Sequence, residues 1–504
     1  MDQHSVEARP GDDSSAVGWS ALVLAGAAVV ATVATAVTIA AFSHDYDEGV
    51  YLQSLLSLDA GHPMYSSVFS SQPPLFLFGM LPLFHLAGPS VVAARVTLVL
   101  VVLVGLVAVW RLGRRAGRNS GLLAVALMLS VGPWVTSADR LASTVPSVAV
   151  SVVGVAIASA AARRSGRARW GLALGAGVVL AVATMIKLLG VVAIVPAGLF
   201  LVLPSTARPD ADADTDTDTD ADGQDAVSAW SWRSGLSAAV ALPVGALVGV
   251  VAVSAVFWSH GDLYEQVVSF HLQARGVRAG LLFNVKNLSF AVLTIPVFLA
   301  ALLAIGIVEW RRLRSATIYV AWLVTGGVFL LLQHPLFSPH KLLLVPPAAL
   351  LVAGLPAWLA QQGAPARVER WGRLAVSAVV VVGLIGLTYD TVTTTRSPGR
   401  TTTLMIDALR AHVPASTLVV TDDQVVAAAA GRRVPSPLVD TSNVRFEAGS
   451  LTAAELIRVT DAEAGAVLLT GGRFDHVPEF TAWVEQHLDR VATFPGGGAL
   501  YVKR

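Results

Sequence analysis

The chain has 504 residues, 54% of them hydrophobic and only 14% charged, with a mean hydropathy of +0.66. Soluble globular proteins carry about 25% charged residues, so this composition excludes a disordered, collagen-like or ordinary soluble chain and points to a polytopic membrane protein. Lys and Arg number 35 against 34 Asp and Glu, a formal charge of +1 that argues against a nucleic-acid partner, and the absence of Cys excludes disulfides, thiolate metal sites and Cys nucleophiles.

A short head, 1–18, precedes the first apolar segment. That segment is longer than a signal-peptide core and has no basic stretch before it, so it reads as a retained helix. Segments of about 20 apolar residues span a bilayer, and about eleven follow one another, near 19–42, 91–110, 121–135, 145–162, 170–186, 188–203, 236–258, 288–308, 316–332, 342–359 and 374–387. Four arginine clusters fall between them: Arg111, Arg114, Arg115 and Arg118; Arg163, Arg164, Arg167 and Arg169; Arg311, Arg312 and Arg314; Arg367, Arg370 and Arg373. With eleven spans all four share one face, which the positive-inside rule makes cytoplasmic. The N-terminus is then cytoplasmic, and the loops 45–72, 138–144, 260–287 and 334–341 face outward, in a multi-pass protein of the plasma membrane.

Within the span-bearing region, 19–390, lies the acidic tract 207–230, containing DADADTDTDTDADGQD. Alternating Asp and small residues cannot build a core, so a solvated cytoplasmic linker is expected. A calcium loop is the lesser reading, because the EF-hand Gly and closing Glu are missing. From 391 to 504 the pattern changes. Short apolar runs at 417–420 and 466–470 alternate with helical stretches at 403–412, 453–460 and 479–488, and 491–502 reads as a hairpin around Gly496–Gly498. This predicts an extracytoplasmic α/β domain of about 110 residues, large enough for its own core.

The first outward loop holds most of the chemistry-bearing residues. Asp45, Asp47 and Glu48 stand just past the first span, where a carboxylate is costly unless hydrated, paired or working. Tyr51, Leu52, Leu55, Leu56 and Leu58 follow at helical spacing, and Gln72-Pro73-Pro74 opens a second apolar piece, 75–86, too short to span. Two interfacial helices beside surface carboxylates suit chemistry on a lipid-linked substrate.

Asp47-Glu48-Gly49-Val50-Tyr51, Ala60-Gly61-His62-Pro63-Met64-Tyr65, Gln72-Pro73-Pro74-Leu75, Ala93-Ala94-Arg95, the Gly171–Gly175 run leading to Lys187, and His340-Lys341 through Pro347 resemble membrane glycosyltransferases of the GT-C class. The closest groups are the protein-mannosyltransferase and lipid A aminoarabinose-transferase-like enzymes. Val439-Asp440-Thr441-Ser442-Asn443-Val444-Arg445 resembles the external domain of a bacterial subgroup. The resemblance implies a polytopic GT-C fold with an extracytoplasmic α/β domain. It also implies transfer of a sugar from a polyprenyl-phosphate donor to a glycan, glycolipid or protein acceptor, with inversion.

On that reading Asp47 is the general base and Glu48 its catalytic neighbour; Asp45, Tyr51, Gln72 and Arg95 bind substrate. The leaving lipid phosphate needs fixed cations, for which Lys187, His340, Lys341, Arg140, Arg275 and Arg278 are the candidates. Each has a plainer role: Lys187 snorkelling to the interface, Arg95 pairing with a loop carboxylate, Tyr51 packing, and Arg275 and Arg278 solvated. Relatives often carry R-x-x-x-D-x-P where this chain has Arg140-Leu141-Ala142-Ser143-Thr144-Val145-Pro146, so Thr144 replaces a carboxylate and metal dependence stays open, with no cofactor assigned. Asp422 and Asp423 follow an expected strand, and capping a turn is their plainer reading. The rivals are a transporter or lipid flippase, and a non-catalytic envelope-assembly protein.

Overall fold

A computed structural model describes residues 12–203, 232–258, 262–273, 280–333 and 336–504. The acidic linker, Arg275, Arg278 and most of the N-terminal head lie outside the described residues.

The expected apolar segments correspond to helices, but not uniformly. Eight are long and apolar enough to cross a membrane, and two bent pairs bring the number to ten. In chain order the helices are α1 (Asp12–Thr38), α2 (Tyr46–Asp59), α3 (Leu75–Leu86), α4 (Val91–Gly113), α5 (Ser120–Ser130), α6 (Gly132–Ala138), α7 (Thr144–Ala161), α8 (Gly166–Ile186) and α9 (Ile194–Val202). There follow α10 (Trp232–Phe257), α11 (Phe270–Gln273), α12 (Leu281–Thr294), α13 (Pro296–Ile307), α14 (Arg314–Leu332), α15 (Val345–Gln361) and α16 (Ala366–Thr394). Helices α5 and α6 meet at 77°, and α12 and α13 at 91°. Pro133 and Pro296 stand in the first turns of α6 and α13. A proline there needs no backbone donor, and the chain is extended just before each helix, at Val131 and at Ile295, the residue that Pro296 itself restricts. The expected straight spans at 121–135 and 288–308 are therefore broken ones.

The segment 188–203 also departs from a plain helix. Its first six residues, Leu188–Ala193, are 3-10 and only then does α9 begin. A 3-10 turn rises about 2.0 Å per residue against 1.5 Å in an α-helix, so this short segment covers about 25 Å. Close packing in the bundle uses glycine: a Cβ on Gly177 of α8 would overlap the Leu242 carbonyl of α10, and one on Gly245 would overlap Leu174.

Past α16 come α17 (Arg400–His412), α18 (Gln424–Ala429), α19 (Asn443–Glu447), α20 (Ala453–Glu463) and α21 (Pro478–His487), with β1 (Val419–Thr421), β2 (Ala466–Leu469), β3 (Asp489–Thr493) and β4 (Ala499–Val502). The sheet order is β1-β2-β4-β3: β1 runs parallel to β2, and the other pairs are antiparallel. Gly496 and Gly497 take φ of 89° and 91° to turn β3 into β4, a conformation that side chains resist.

Helix α2 is the junction between bundle and sheet unit. Gln53, 1% exposed, donates to the Arg432 carbonyl at 2.9 Å and accepts from the Val434 amide at 3.2 Å. A Cβ on Gly49 would stand 2.5 Å from the Val425 backbone nitrogen. Gly49→Ala is therefore expected to push α18 off α2 and cost about 1–3 kcal/mol of stability, measurable as a lowered unfolding midpoint in detergent.

Candidate active site

The first turn of α2 is set by Asp45, whose side chain caps the helix by accepting the Asp47 amide at 3.0 Å. Asp47 then sits at a helix N-terminus, where a negative charge is favoured. Among the described residues no hydrogen bond engages its carboxylate. Its side chain keeps accessible surface although protein surrounds it. Burial, reinforced by the Asp45 charge, pushes the Asp47 carboxyl up to about 6; Lys187 and Arg473 oppose the shift and Asp440 adds to it.

Glu48 faces the other way. Its two oxygens accept Nε and Nη2 of Arg95 at 2.8 and 2.9 Å, and Oε1 also takes the Leu141 amide at 3.1 Å. Arg95 Nη1 donates to the carbonyls of Thr38, Ile39 and Ala41 at the end of α1. Glu48 is 3% and Arg95 2% exposed. The expectation of a catalytic Glu48 and a substrate-binding Arg95 therefore needs correction: both are committed to one another and to backbone, and tie α1, α2 and α4 together. The plainer reading of Arg95, a structural pair with a loop carboxylate, is what the geometry holds.

Lys187 lies just past α8, and its Nζ donates to Thr144 Oγ1 at 3.0 Å. Thr144, at the position where the resemblance leads one to expect a carboxylate, thus meets the lysine through its hydroxyl. Burial pushes the Lys187 ammonium down to about 8, against the pull of Asp47. His340 and His271 both stand within electrostatic reach of Lys187, and among the described residues the buried Nδ1 of His340 has no hydrogen-bond partner. Lys341, 8% exposed, lies in the same 3-10 turn as His340.

Tyr51 and Gln72 converge on Ser143: the Tyr51 hydroxyl meets its side chain, and Ser143 donates to Gln72 Oε1 at 3.5 Å. The Tyr51 ring also packs edge-on against Phe76. Arg140 acts by charge on Asp45 and on Asp139. Asp139, 1% exposed, accepts the Thr38 hydroxyl on Oδ2. Among the described residues no group of three or more His, Asp or Glu side chains is placed to hold a metal ion, so the donor set does not fit a metal held by protein side chains alone. Two cavities of about 650 and 310 Å³ lie against the sheet unit, neither lined by Asp47 or Lys187.

The sheet unit reaches the same group. The Arg473 guanidinium lies 3.5 Å over the ring of Tyr46, the residue before Asp47. The Tyr46 hydroxyl donates to Asp440 Oδ1 at 3.2 Å and accepts the Thr441 amide at 2.9 Å. Sequence reasoning assigned no role to either. Asp440 lay within a quoted motif, but Arg473 carried no local signal. Asp422 and Asp423 are turn formers, as expected: Asp422 accepts the amides of Thr470 and Phe474, and Asp423 caps α18.

Compared with known structures, the chain superposes on ArnT from Cupriavidus metallidurans bound to undecaprenyl phosphate with a TM-score of 0.63, at 14% identity, covering 96% of this chain and 98% of that one. The chain has the GT-C fold. A second GT-C structure is the oligosaccharyltransferase AglB from Archaeoglobus fulgidus, in complex with an inhibitory peptide and a dolichol-phosphate; it matches at TM-score 0.57 and 11% identity, over 96% of this chain and 74% of that one. The sequence pattern of the family described as dolichyl-phosphate-mannose-protein mannosyltransferase matches residues 71–210. No curated protein matches the chain in sequence. On this GT-C fold, Asp47 and Lys187 stand within electrostatic reach of one another, and the Lys187 ammonium is hydrogen-bonded to Thr144 rather than to Asp47.

Proposed function

We propose that the chain is a membrane glycosyltransferase that moves a sugar from a polyprenyl phosphate to an acceptor hydroxyl on the outward face. The observation that carries the proposal is Asp47, a carboxylate with no hydrogen-bond partner among the described residues, poised near neutrality opposite Lys187. ArnT and AglB were each solved with a polyprenyl or dolichol phosphate, which supports a donor of that class.

In the proposed step the acceptor oxygen attacks the anomeric carbon from the side opposite the phosphate. The carbon–oxygen bond to the phosphate breaks as the new one forms, and Asp47 takes the hydroxyl proton. The polyprenyl phosphate leaves with the electron pair, its charge met by Lys187 with His340 and His271 nearby. The product has inverted configuration. Asp45 and the Glu48–Arg95 pair are positioning groups, while Tyr51, Gln72 and Arg140 line the approach.

Incubation of the purified protein with a panel of polyprenyl-phosphate sugars tests the reading: one donor should release polyprenyl phosphate and give a product of inverted anomeric configuration. No release from any donor, with transport of lipid or solute across vesicles instead, would favour the transporter.

The charges around Asp47 make a signed prediction. Lys187 and Arg473 both lower its proton affinity, so Lys187→Gln or Arg473→Gln moves the acid limb of the rate profile above about pH 6. Asp45→Asn moves it below. Lys187→Gln also raises donor KM and removes the alkaline limb near pH 8. A profile unmoved by all three substitutions would remove Asp47 from the role of base.

A further inference from the structure

Asp47 stands in the first turn of α2, where helices fray most readily, and both of its sequence neighbours are anchored. On one side the bundle holds Glu48 through Arg95. On the other the sheet unit holds Tyr46, through two segments.

The first segment follows the carboxyl end of β2, which lies beside that of its parallel neighbour β1. In open α/β sheets ligands bind outside such strand ends. Here Tyr46 comes to that edge, with the Arg473 guanidinium 3.5 Å over its ring. Arg473 is itself fixed: Nη1 donates to the Asp422 carbonyl at 2.8 Å, and the Asp422 carboxylate accepts the amides of Thr470 and Phe474. The second segment carries Asp440 and Thr441. Asp440 Oδ1 accepts the Tyr46 hydroxyl at 3.2 Å and the Ser442 amide at 2.8 Å, and the Thr441 amide donates to the same hydroxyl at 2.9 Å. Arg445 Nη1 braces this segment by donating to the carbonyls of Pro437 and Asp440 at 3.2 and 2.6 Å.

Tyr46, Gly49 and Gln53 are three and four residues apart and share one face of α2. Gly49 abuts the Val425 backbone and Gln53 bonds to backbone at Arg432 and Val434, contacts that dock the helix without bringing a charge to Asp47. The Tyr46 contacts differ. Arg473 and Asp440 both act on Asp47 by charge, and the other charged groups that do so are Asp45 of its own turn and Lys187 at the end of α8.

We infer, on the reading of Asp47 as the base, that the sheet unit is part of the catalytic apparatus: Arg473, Asp440 and Thr441 grip Tyr46 and thereby position Asp47 against the acceptor hydroxyl. A base acts only within hydrogen-bonding reach of its proton, and a displacement of about 1 Å costs about 10² in rate. Tyr46, Arg473 and Asp440 are positioning residues, and release of the grip slows transfer without weakening the donor site.

The test compares Tyr46→Phe, which removes the gripped hydroxyl, with Asp440→Asn, which keeps its shape and loses the charge, and with Arg473→Gln. Polyprenyl phosphate release from the donor panel gives kcat and donor KM. Carbodiimide labelling of Asp47 against pH, mapped by mass spectrometry, follows its titration without any substrate. Tyr46→Phe should lower kcat by about 10–100-fold at an unchanged donor KM. Asp440→Asn should move the labelling midpoint of Asp47 to lower pH and Arg473→Gln to higher pH, because the first removes a negative charge and the second a positive one. Gln53→Leu, which loosens the same helix face away from Asp47, should lower the unfolding midpoint and leave the labelling midpoint in place. Wild-type kcat in folded Tyr46→Phe, or labelling midpoints in Asp440→Asn and Arg473→Gln no different from that of Gln53→Leu, would overturn the proposal. A fully active Asp47→Asn would remove the base itself, and the grip with it. An inactive Asp47→Asn beside a fully active Tyr46→Phe would leave the base standing and remove the grip alone. Should Arg473→Gln not fold, Tyr46→Phe and Asp440→Asn still decide.

Discussion

Asp47→Asn is expected to lower kcat/KM for sugar transfer by about 10²–10⁴, the usual share of a general base, with the protein folded and donor affinity close to wild type. The amide keeps the shape and the helix-terminal position of the carboxylate but cannot accept the acceptor's proton. On the proposed reading, kcat/KM of the wild type should rise through about pH 6 as Asp47 loses its proton and fall through about pH 8 as Lys187 loses its own. Asp47 must be charged to act, so its limb is on the acid side; Lys187 must be protonated to meet the phosphate, so its limb is on the alkaline side. The residual activity of Asp47→Asn should lack the acid limb. A variant that keeps that limb and most of its rate would show another group to be the base.

The second large effect concerns stability. Removing one partner of the Glu48–Arg95 pair leaves a charge enclosed among the ends of α1 and α4 with nothing to balance it, which costs about 3–5 kcal/mol. Glu48→Gln and Arg95→Met should each lower the unfolding midpoint sharply and reduce expression. The double variant Glu48→Leu/Arg95→Met should recover much of the loss, because a buried pair replaced by apolar groups is often near neutral. A double variant as unstable as the sum of the two singles would mean that the two side chains are not energetically coupled, and would contradict this account of the pair. Loss of transfer in the single variants, alongside loss of fold, would follow from the displacement of α2 rather than from chemistry by Glu48.

Why Asp47 and Glu48 differ is instructive about how much could be read from residues alone. Adjacent in sequence, they carry the same charge and the same motif. On a helix, neighbours point about 100° apart, so one reaches Arg95 and the other does not, and only the packing of α4 decides which. The spans were legible because hydropathy is local, and the bends at Pro133 and Pro296 carried a visible signal that hydropathy windows smooth over. The hairpin around Gly496 and Gly497 was legible for the same local reason. Lys187 meeting Thr144 depends on α7 and α8 lying side by side, and Arg473 covering Tyr46 joins residues from opposite ends of the chain. No spacing rule encodes either contact.

Among the expected phosphate cations, local chemistry ranked His340 and Lys341 together. Both stand buried in one 3-10 turn, and the charge of Lys187 reaches His340. Thr144 shows the converse. Its departure from the carboxylate of relatives was visible in the sequence, but the lysine contact that occupies the position was not.

The most direct test of the central claim is an experimental structure of the protein with a bound polyprenyl-phosphate sugar, best trapped in Asp47→Asn. The account predicts the donor phosphate within hydrogen-bonding distance of Lys187 Nζ, with the face of the anomeric carbon away from the phosphate turned toward residue 47. A phosphate held elsewhere, with Lys187 still bonded only to Thr144 and residue 47 remote from the sugar, would contradict it.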